Sequence, residues 1–138
     1  MRAEIVVPAR LSALSRMAAF IAETGARAGV SADLCRKLTL LGEELFINTV
    51  EHGHRGDSDA PVRVGIETEP GWIALTYEDT APPHDPFAAV QRPDDTTDVD
   101  DRLVGGLGVL LVATLARDVE YHRLDGKNHI RLVVTTPA

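Results

Sequence analysis

Leu38-Thr39-Leu40-Leu41-Gly42-Glu43-Glu44-Leu45-Phe46-Ile47-Asn48-Thr49-Val50-Glu51-His52-Gly53-His54 is the stretch on which the reading of this chain turns. With Leu34 upstream, Leu38, Leu41 and Leu45 recur at helical spacing, so one stripe of the helix faces a core. Glu44, Asn48 and His52 stand four apart and stack along the flank of that stripe. A carboxylate can accept a proton. An amide oxygen can ligate a hard cation such as Mg²⁺, which wants oxygen ligands. A solvated face closed by a capping histidine near Gly53 has the same pattern, so the helix acquires meaning only through partners elsewhere in the chain.

Working outward, Ser31 is a good N-cap for this helix, and Asp33 in its first turn favours the positive helix end. Upstream, Leu11, Leu14, Met17, Ala18 and Ile21 keep the 3.6 period, which predicts a helix from Leu11 to Ala28 ended by Gly29. Ala3 to Val7 is a β-rich run stopped by Pro8. Downstream, Gly53 closes the central helix and a polar loop runs from His54 to Ala60. Val62, Val64 and Ile66, then Ile73, Leu75 and Tyr77, alternate on either side of Pro70-Gly71, which predicts a hairpin. Val119 to Arg123 and His129 to Val134 predict a second hairpin around Asp125-Gly126. Between them lie a long Asp- and Pro-rich stretch and an apolar helix opened by Gly105-Gly106-Leu107-Gly108 and ending near Ala116. Hairpins and helices in this order, without regular βαβ units, predict an α+β two-layer sandwich: a mostly antiparallel sheet with helices on one face.

The composition suits one domain spanning the 138 residues, with 44% hydrophobic and 25% charged residues. A net charge of −7 argues against direct nucleic-acid binding and against anionic membranes. The one cysteine, Cys35, cannot form an intrachain disulfide and fits the apolar side of the helix. No apolar run approaches the ~20 residues of a membrane span, and Met1 to Pro8 lacks a secretory pattern, so a cytoplasmic location is expected.

Two further features carry chemistry. Asp79 ends a strand, where a carboxylate can accept from an exocyclic amine such as that of adenine, or simply initiate a turn. Gly105, Gly106 and Gly108 stand at a helix start, where the backbone can approach a ligand closely and anions are attracted. They follow a loop rather than a strand and lack Gly-Lys-Ser/Thr, so they fit neither the dinucleotide fingerprint nor a P-loop. Glu51-His52-Gly53-His54 lacks the His-x-x-x-His spacing of a helical zinc site. The run Asp94, Asp95, Asp98, Asp100, Asp101 lacks the glycine and terminal glutamate of an EF-hand.

Taken together, Glu44-x-x-x-Asn48-x-x-x-His52-Gly53, then Glu78-Asp79-Thr80-Ala81-Pro82-Pro83-His84-Asp85-Pro86, then Gly105-Gly106-Leu107-Gly108-Val109, resemble the GHKL ATPase superfamily. The closest likeness is to its anti-sigma-factor serine/threonine kinases, and the tail from Asp118 to Asn128 resembles the same branch. The resemblance implies the Bergerat, or histidine-kinase-like, ATPase fold with ATP as substrate and Mg²⁺ as cofactor. It implies Glu44 as general base, Asn48 as Mg²⁺ ligand and Asp79 as the adenine-binding carboxylate. It implies that Gly105, Gly106, Leu107 and Gly108 meet the phosphates and that Phe87 to Val104 is the ATP lid. Ala81, in the same nucleotide-binding motif, stands where the family usually has glycine. A methyl there hurts if the position needs positive φ or lies against the base. His84 stands where an aromatic is common.

The implied partners are an anti-sigma-factor antagonist of the STAS type and a sigma factor, with a possible homodimer. The rival readings are a partner-sequestering module without turnover, favoured by Ala81, and a stand-alone ATPase used as a switch. Glu44 and Asn48 favour the kinase.

Overall fold

The computed structural model describes residues 1–87, 112 and 114–137. The glycine box Gly105, Gly106, Leu107 and Gly108, and the expected lid beyond Phe87, lie outside the described residues.

The chain begins with β1 (Arg2–Pro8), followed by a 3-10 turn (Leu11–Ala13) and α1 (Leu14–Arg27). The expected helix from Leu11 therefore starts in the tighter winding common at helix ends. Next comes α2 (Ala32–Ile47), which passes without a break into a π-helical turn (Asn48–Gly53). Ser31 caps α2 as expected, its Oγ accepting from Leu34 N–H at 3.2 Å. β2 (Pro61–Glu69) and β3 (Trp72–Asp79) form the first hairpin, and β4 (Ala116–Leu124) and β5 (Lys127–Thr135) the second. Asp125 and Gly126 both take positive φ, 53° and 75°, the conformation of the two-residue turn that matches strand twist. Val112, Thr114 and Leu115 are helical, and β4 starts at Ala116, the residue where the sequence pattern ends the helix.

Among the described residues the sheet has five strands in the order β1-β2-β3-β5-β4. All four described pairings are antiparallel. β3 lies at the centre, and β5 pairs with it across the intervening segment. One sheet face carries Val62, Val64 and Ile66 from β2, Ile73, Leu75 and Tyr77 from β3, and Ile130, Leu132 and Val134 from β5. Met17 and Ile21 of α1 and Leu38, Leu41, Leu45 and Phe46 of α2 pack against them in one core. The leucine stripe read from the sequence is thus buried, and Cys35 is buried beside it.

The other sheet face is polar. Glu78 there sits between Arg63, Lys127 and His129, and Arg131 pairs with Glu67 and lies over the Trp72 ring. Exposed pairs of this kind contribute up to about 1 kcal/mol each. Among the described residues, no helix is long and apolar enough to cross a membrane.

The alternation of the buried face does not stop at the apolar residues. Register places Tyr77 opposite Ile130 and, one step on, Asp79 opposite Asn128. Two polar side chains therefore close the end of the core row, and both are buried, at 6% and 3% exposure. Buried polar groups at a strand end need partners.

Candidate functional site

Those partners come largely from the π-helical turn and the second hairpin. Thr49, the second residue of that turn, is buried. Its Oγ1 lies 2.9 Å from Leu45 O, 2.6 Å from Tyr77 Oη and 2.7 Å from Asp79 Oδ2. The single hydroxyl proton is shared between the Leu45 carbonyl and the Asp79 carboxylate, and a threonine hydroxyl that reaches back to the carbonyl four residues earlier disturbs regular α winding. Here the chain changes to wider turns: His54 N–H donates to Thr49 O at 2.9 Å, five residues back. The turn hangs from the sheet through Thr49.

Asp79 is held from three directions. Its Oδ2 accepts from Thr49 Oγ1 at 2.7 Å. Its Oδ1 accepts from Asn128 Nδ2 at 2.8 Å and from Ala81 N–H at 3.2 Å. An ionised carboxylate offers about four lone-pair positions, so, counting the described residues, one position, on Oδ2, remains for a donor.

Glu44 and Asn48 lie one α-helical turn apart and are both half-buried, and Asn48 N–H donates to Glu44 O. The side-chain amide of Asn48 has no hydrogen-bond partner among the described residues. Because Asn48 precedes Thr49, the bond from Thr49 to Asp79 sets the spacing between the Glu44–Asn48 pair and the buried carboxylate. His52, the third member of the row, is exposed, and the winding between Asn48, where the π-helical turn begins, and His52 is no longer α-helical. The α-helical stack expected for the row therefore covers Glu44 and Asn48 only. Among the described residues, no cluster of His, Cys, Asp and Glu has the geometry of a metal site.

Ala81 is buried, and its backbone does not take positive φ. Its methyl lies over Gly53, where an added Cβ would come within 2.6 Å of Ala81 Cβ. The methyl thus packs on the end of the π-helical turn, and the first reason for needing glycine there is absent. A methyl has no rotamer by which to move aside. Gly53→Ala is therefore expected to cost about 1–3 kcal/mol in urea unfolding, and the double variant with Ala81→Gly should recover most of the loss. Equal stability of Gly53→Ala and the parent would contradict this packing.

Tyr77 is the other buried hydroxyl of the network. Burial pushes its hydroxyl far above the ordinary value of 10.0, the hydrogen bond with Thr49 opposes that, and the nearby Asp79 charge adds to it. The folded state then keeps a proton that the unfolded chain releases. This stability is complete below pH about 10 and is lost as pH rises beyond it. The fall is expected to approach ~1.4 kcal/mol per pH unit. Cys35, whose thiol is also raised by burial, contributes its own fall starting from the ordinary thiol value of 9.0. Urea unfolding of Tyr77→Phe between pH 8 and 11 should remove the tyrosine slope and keep the cysteine one. An unchanged slope would refute the assignment.

Sequence reasoning passed over Thr49, Tyr77 and Asn128. The available signal was alternation: extending the inner face of β5 one step before Ile130 puts Asn128 in a buried row.

The family model for the histidine kinase-like ATPase domain matches residues 7–134. The chain belongs to this family. Its α+β architecture is the one the motif resemblance implied, and ATP is the ligand that membership implies. No curated protein matches the chain. Among solved structures, the crystal structure of the SiaB–SiaC complex from Pseudomonas aeruginosa contains a chain of similar fold. The match has a TM-score of 0.61 and 14% identity and covers 97% of this chain and 89% of that one. At that identity the likeness is one of fold. Within this histidine kinase-like ATPase domain, Thr49 and Ala81 both hydrogen-bond Asp79, with Asn48 next to Thr49 in the chain and Glu44 one turn before Asn48.

Proposed function

We propose that this ATPase domain is a cytoplasmic serine/threonine protein kinase acting as an anti-sigma factor. It phosphorylates a small STAS-type antagonist, and that antagonist and a sigma factor compete for it, with the kinase itself forming a homodimer. The observation that carries the reading is the placement of Glu44 and Asn48 one turn apart on a helix tied through Thr49 to the buried Asp79.

Asp79 offers one open acceptor position for an exocyclic amine, as adenine presents. Among the described residues the half-buried amide oxygen of Asn48 has no partner, and it is the donor type that Mg²⁺ prefers, so Asn48 fits that ion. Bound there, Mg²⁺ would neutralise phosphate charge. On this reading Glu44 takes the proton of a serine hydroxyl as the serine oxygen bonds to the γ-phosphorus. The bond from that phosphorus to the β–γ bridging oxygen breaks, and ADP leaves with the electron pair. Positioning does most of the work in such transfers. The packing of Ala81 on Gly53 weakens the case for a module without turnover.

The deciding experiment is transfer of γ-labelled phosphate from ATP to a co-encoded STAS-type protein. Label on a serine or threonine of that protein supports the kinase. Hydrolysis without transfer favours an ATPase switch. No binding at millimolar ATP removes the enzyme reading altogether.

A further inference from the structure

Asn128 has more hydrogen-bond contacts than any other side chain in the site. Its Nδ2 lies 2.8 Å from Asp79 Oδ1, 3.2 Å from Ala81 O and 3.0 Å from Pro82 O. Its Oδ1 accepts from Tyr121 Oη and, at 3.2 Å, from His84 N–H. Acceptors on one side and donors on the other fix which way the amide points. Two N–H groups serve three acceptors, and two lone pairs serve two donors. Asn128 therefore has nothing left with which to bind a ligand.

Its effect must then pass through Asp79. By donating to Oδ1 together with Ala81 N–H, it fills that oxygen and holds the carboxylate plane. The open acceptor position falls on Oδ2, beside Thr49. Arg123, donating to Ala81 O at 2.6 Å, holds the same segment from the next strand. We infer that Asn128 is a positioning residue for base selectivity: it restricts Asp79 to a single open acceptor, on Oδ2, so that the site takes a 6-aminopurine and rejects a 6-oxopurine. This rests on the reading of Asp79 as the base-recognising carboxylate and adds to it the residue that enforces the choice.

The rejection follows from hydrogen-bond chemistry. A 6-oxo group presents a lone pair to a lone pair, and a site built to pair one group discriminates strongly against its opposite. Without Asn128, Oδ1 gains an open position and the carboxylate can turn, so the contact with the amine loosens and the fixed repulsion with it.

The test is calorimetric titration of the parent and Asn128→Ala with ATP and with ITP, alongside thermal melts. The parent should prefer ATP. Asn128→Ala should bind ATP roughly tenfold more weakly and ITP no more weakly than the parent, so the ratio falls about tenfold. A purely structural asparagine would weaken both nucleotides alike, and that result overturns the inference, as does an unchanged ratio. If Asn128→Ala does not fold, Tyr121→Phe decides by the same criterion. It removes one donor that orients the amide and should lower the ratio by about threefold. A parent that binds both nucleotides equally overturns the reading of Asp79 itself, and a parent that binds neither removes the nucleotide site. A parent that discriminates while the variants keep its ratio overturns only the role of Asn128.

Discussion

Glu44→Gln is expected to lower single-turnover phosphoryl transfer to the antagonist by roughly 10²–10⁴-fold while ATP affinity stays nearly intact. Glutamine keeps the shape and packing of the side chain and cannot take the serine proton. Asn48 stands one turn on, so on the proposed reading base and metal ligand would project toward the same reacting phosphate. Glu43 points about 100° away on a helix of 3.6 residues per turn. The burial of Leu41, Gly42, Leu45 and Phe46 puts Glu43 and Glu44 on opposite flanks of the core stripe. Glu43→Gln should therefore be mild. Asn48→Ala should weaken both transfer and Mg-ATP binding. Loss of transfer in Glu43→Gln with activity kept in Glu44→Gln would move the base by one residue and refute the present assignment.

Asp79→Asn should reduce ATP affinity by roughly 10- to 100-fold with the fold retained. The size follows from the lost hydrogen bond to a charged acceptor, about 1.5–3 kcal/mol, at 1.4 kcal/mol per tenfold. The direction follows from the network. An amide placed with its NH₂ at the Oδ1 position would face two donors, Asn128 Nδ2 and Ala81 N–H. Turned over, the NH₂ faces Thr49, whose hydroxyl can accept and direct its own proton to Leu45 O. The second orientation is the cheaper, and it puts a donor where the base amine needs an acceptor. Calorimetry with Mg-ATP and a thermal melt of the variant separate loss of binding from loss of fold. Undiminished affinity would show that Asp79 does not read the base.

What was legible in the sequence was local. Ser31 as N-cap, the buried stripe of Leu38, Leu41 and Leu45, and the turn at Asp125-Gly126 are each decided by neighbours within a few residues, and each is present in the structure. The two hairpins were legible for the same reason. Their arrangement was not, because nothing near β3 or β5 in sequence says that they pair across the segment between them. The π-helical turn was hidden too. Gly53 marks its end, but the change of winding at Asn48 depends on Thr49 reaching Asp79, which is settled only in three dimensions. Ala81 is the clearest case. As a sequence position it is a departure from the family pattern, and only the structure supplies Gly53 as the surface its methyl packs against. Asp79 was identified because a strand-end carboxylate is conspicuous. Asn128 was not, because an asparagine just after Gly126-Lys127 reads as an ordinary turn residue.

The network around Asp79 draws on residues 30 and 49 positions away from it. Contacts that distant must close large loops before they repay the entropy, so they belong to the late stages of folding. A growing chain can wind α1 and α2 and zip its first hairpin well before Asn128 has been synthesised, yet on the proposed reading of Asp79 it has no place for a purine until β5 docks on β3. Nucleotide binding is thus reserved for molecules whose topology is complete. A ligand that recognises only such molecules draws the folding equilibrium toward them by mass action. If the proposed kinase reading holds, cellular ATP acts on this protein twice, first as the ligand that captures the finished fold and afterwards as the phosphate donor.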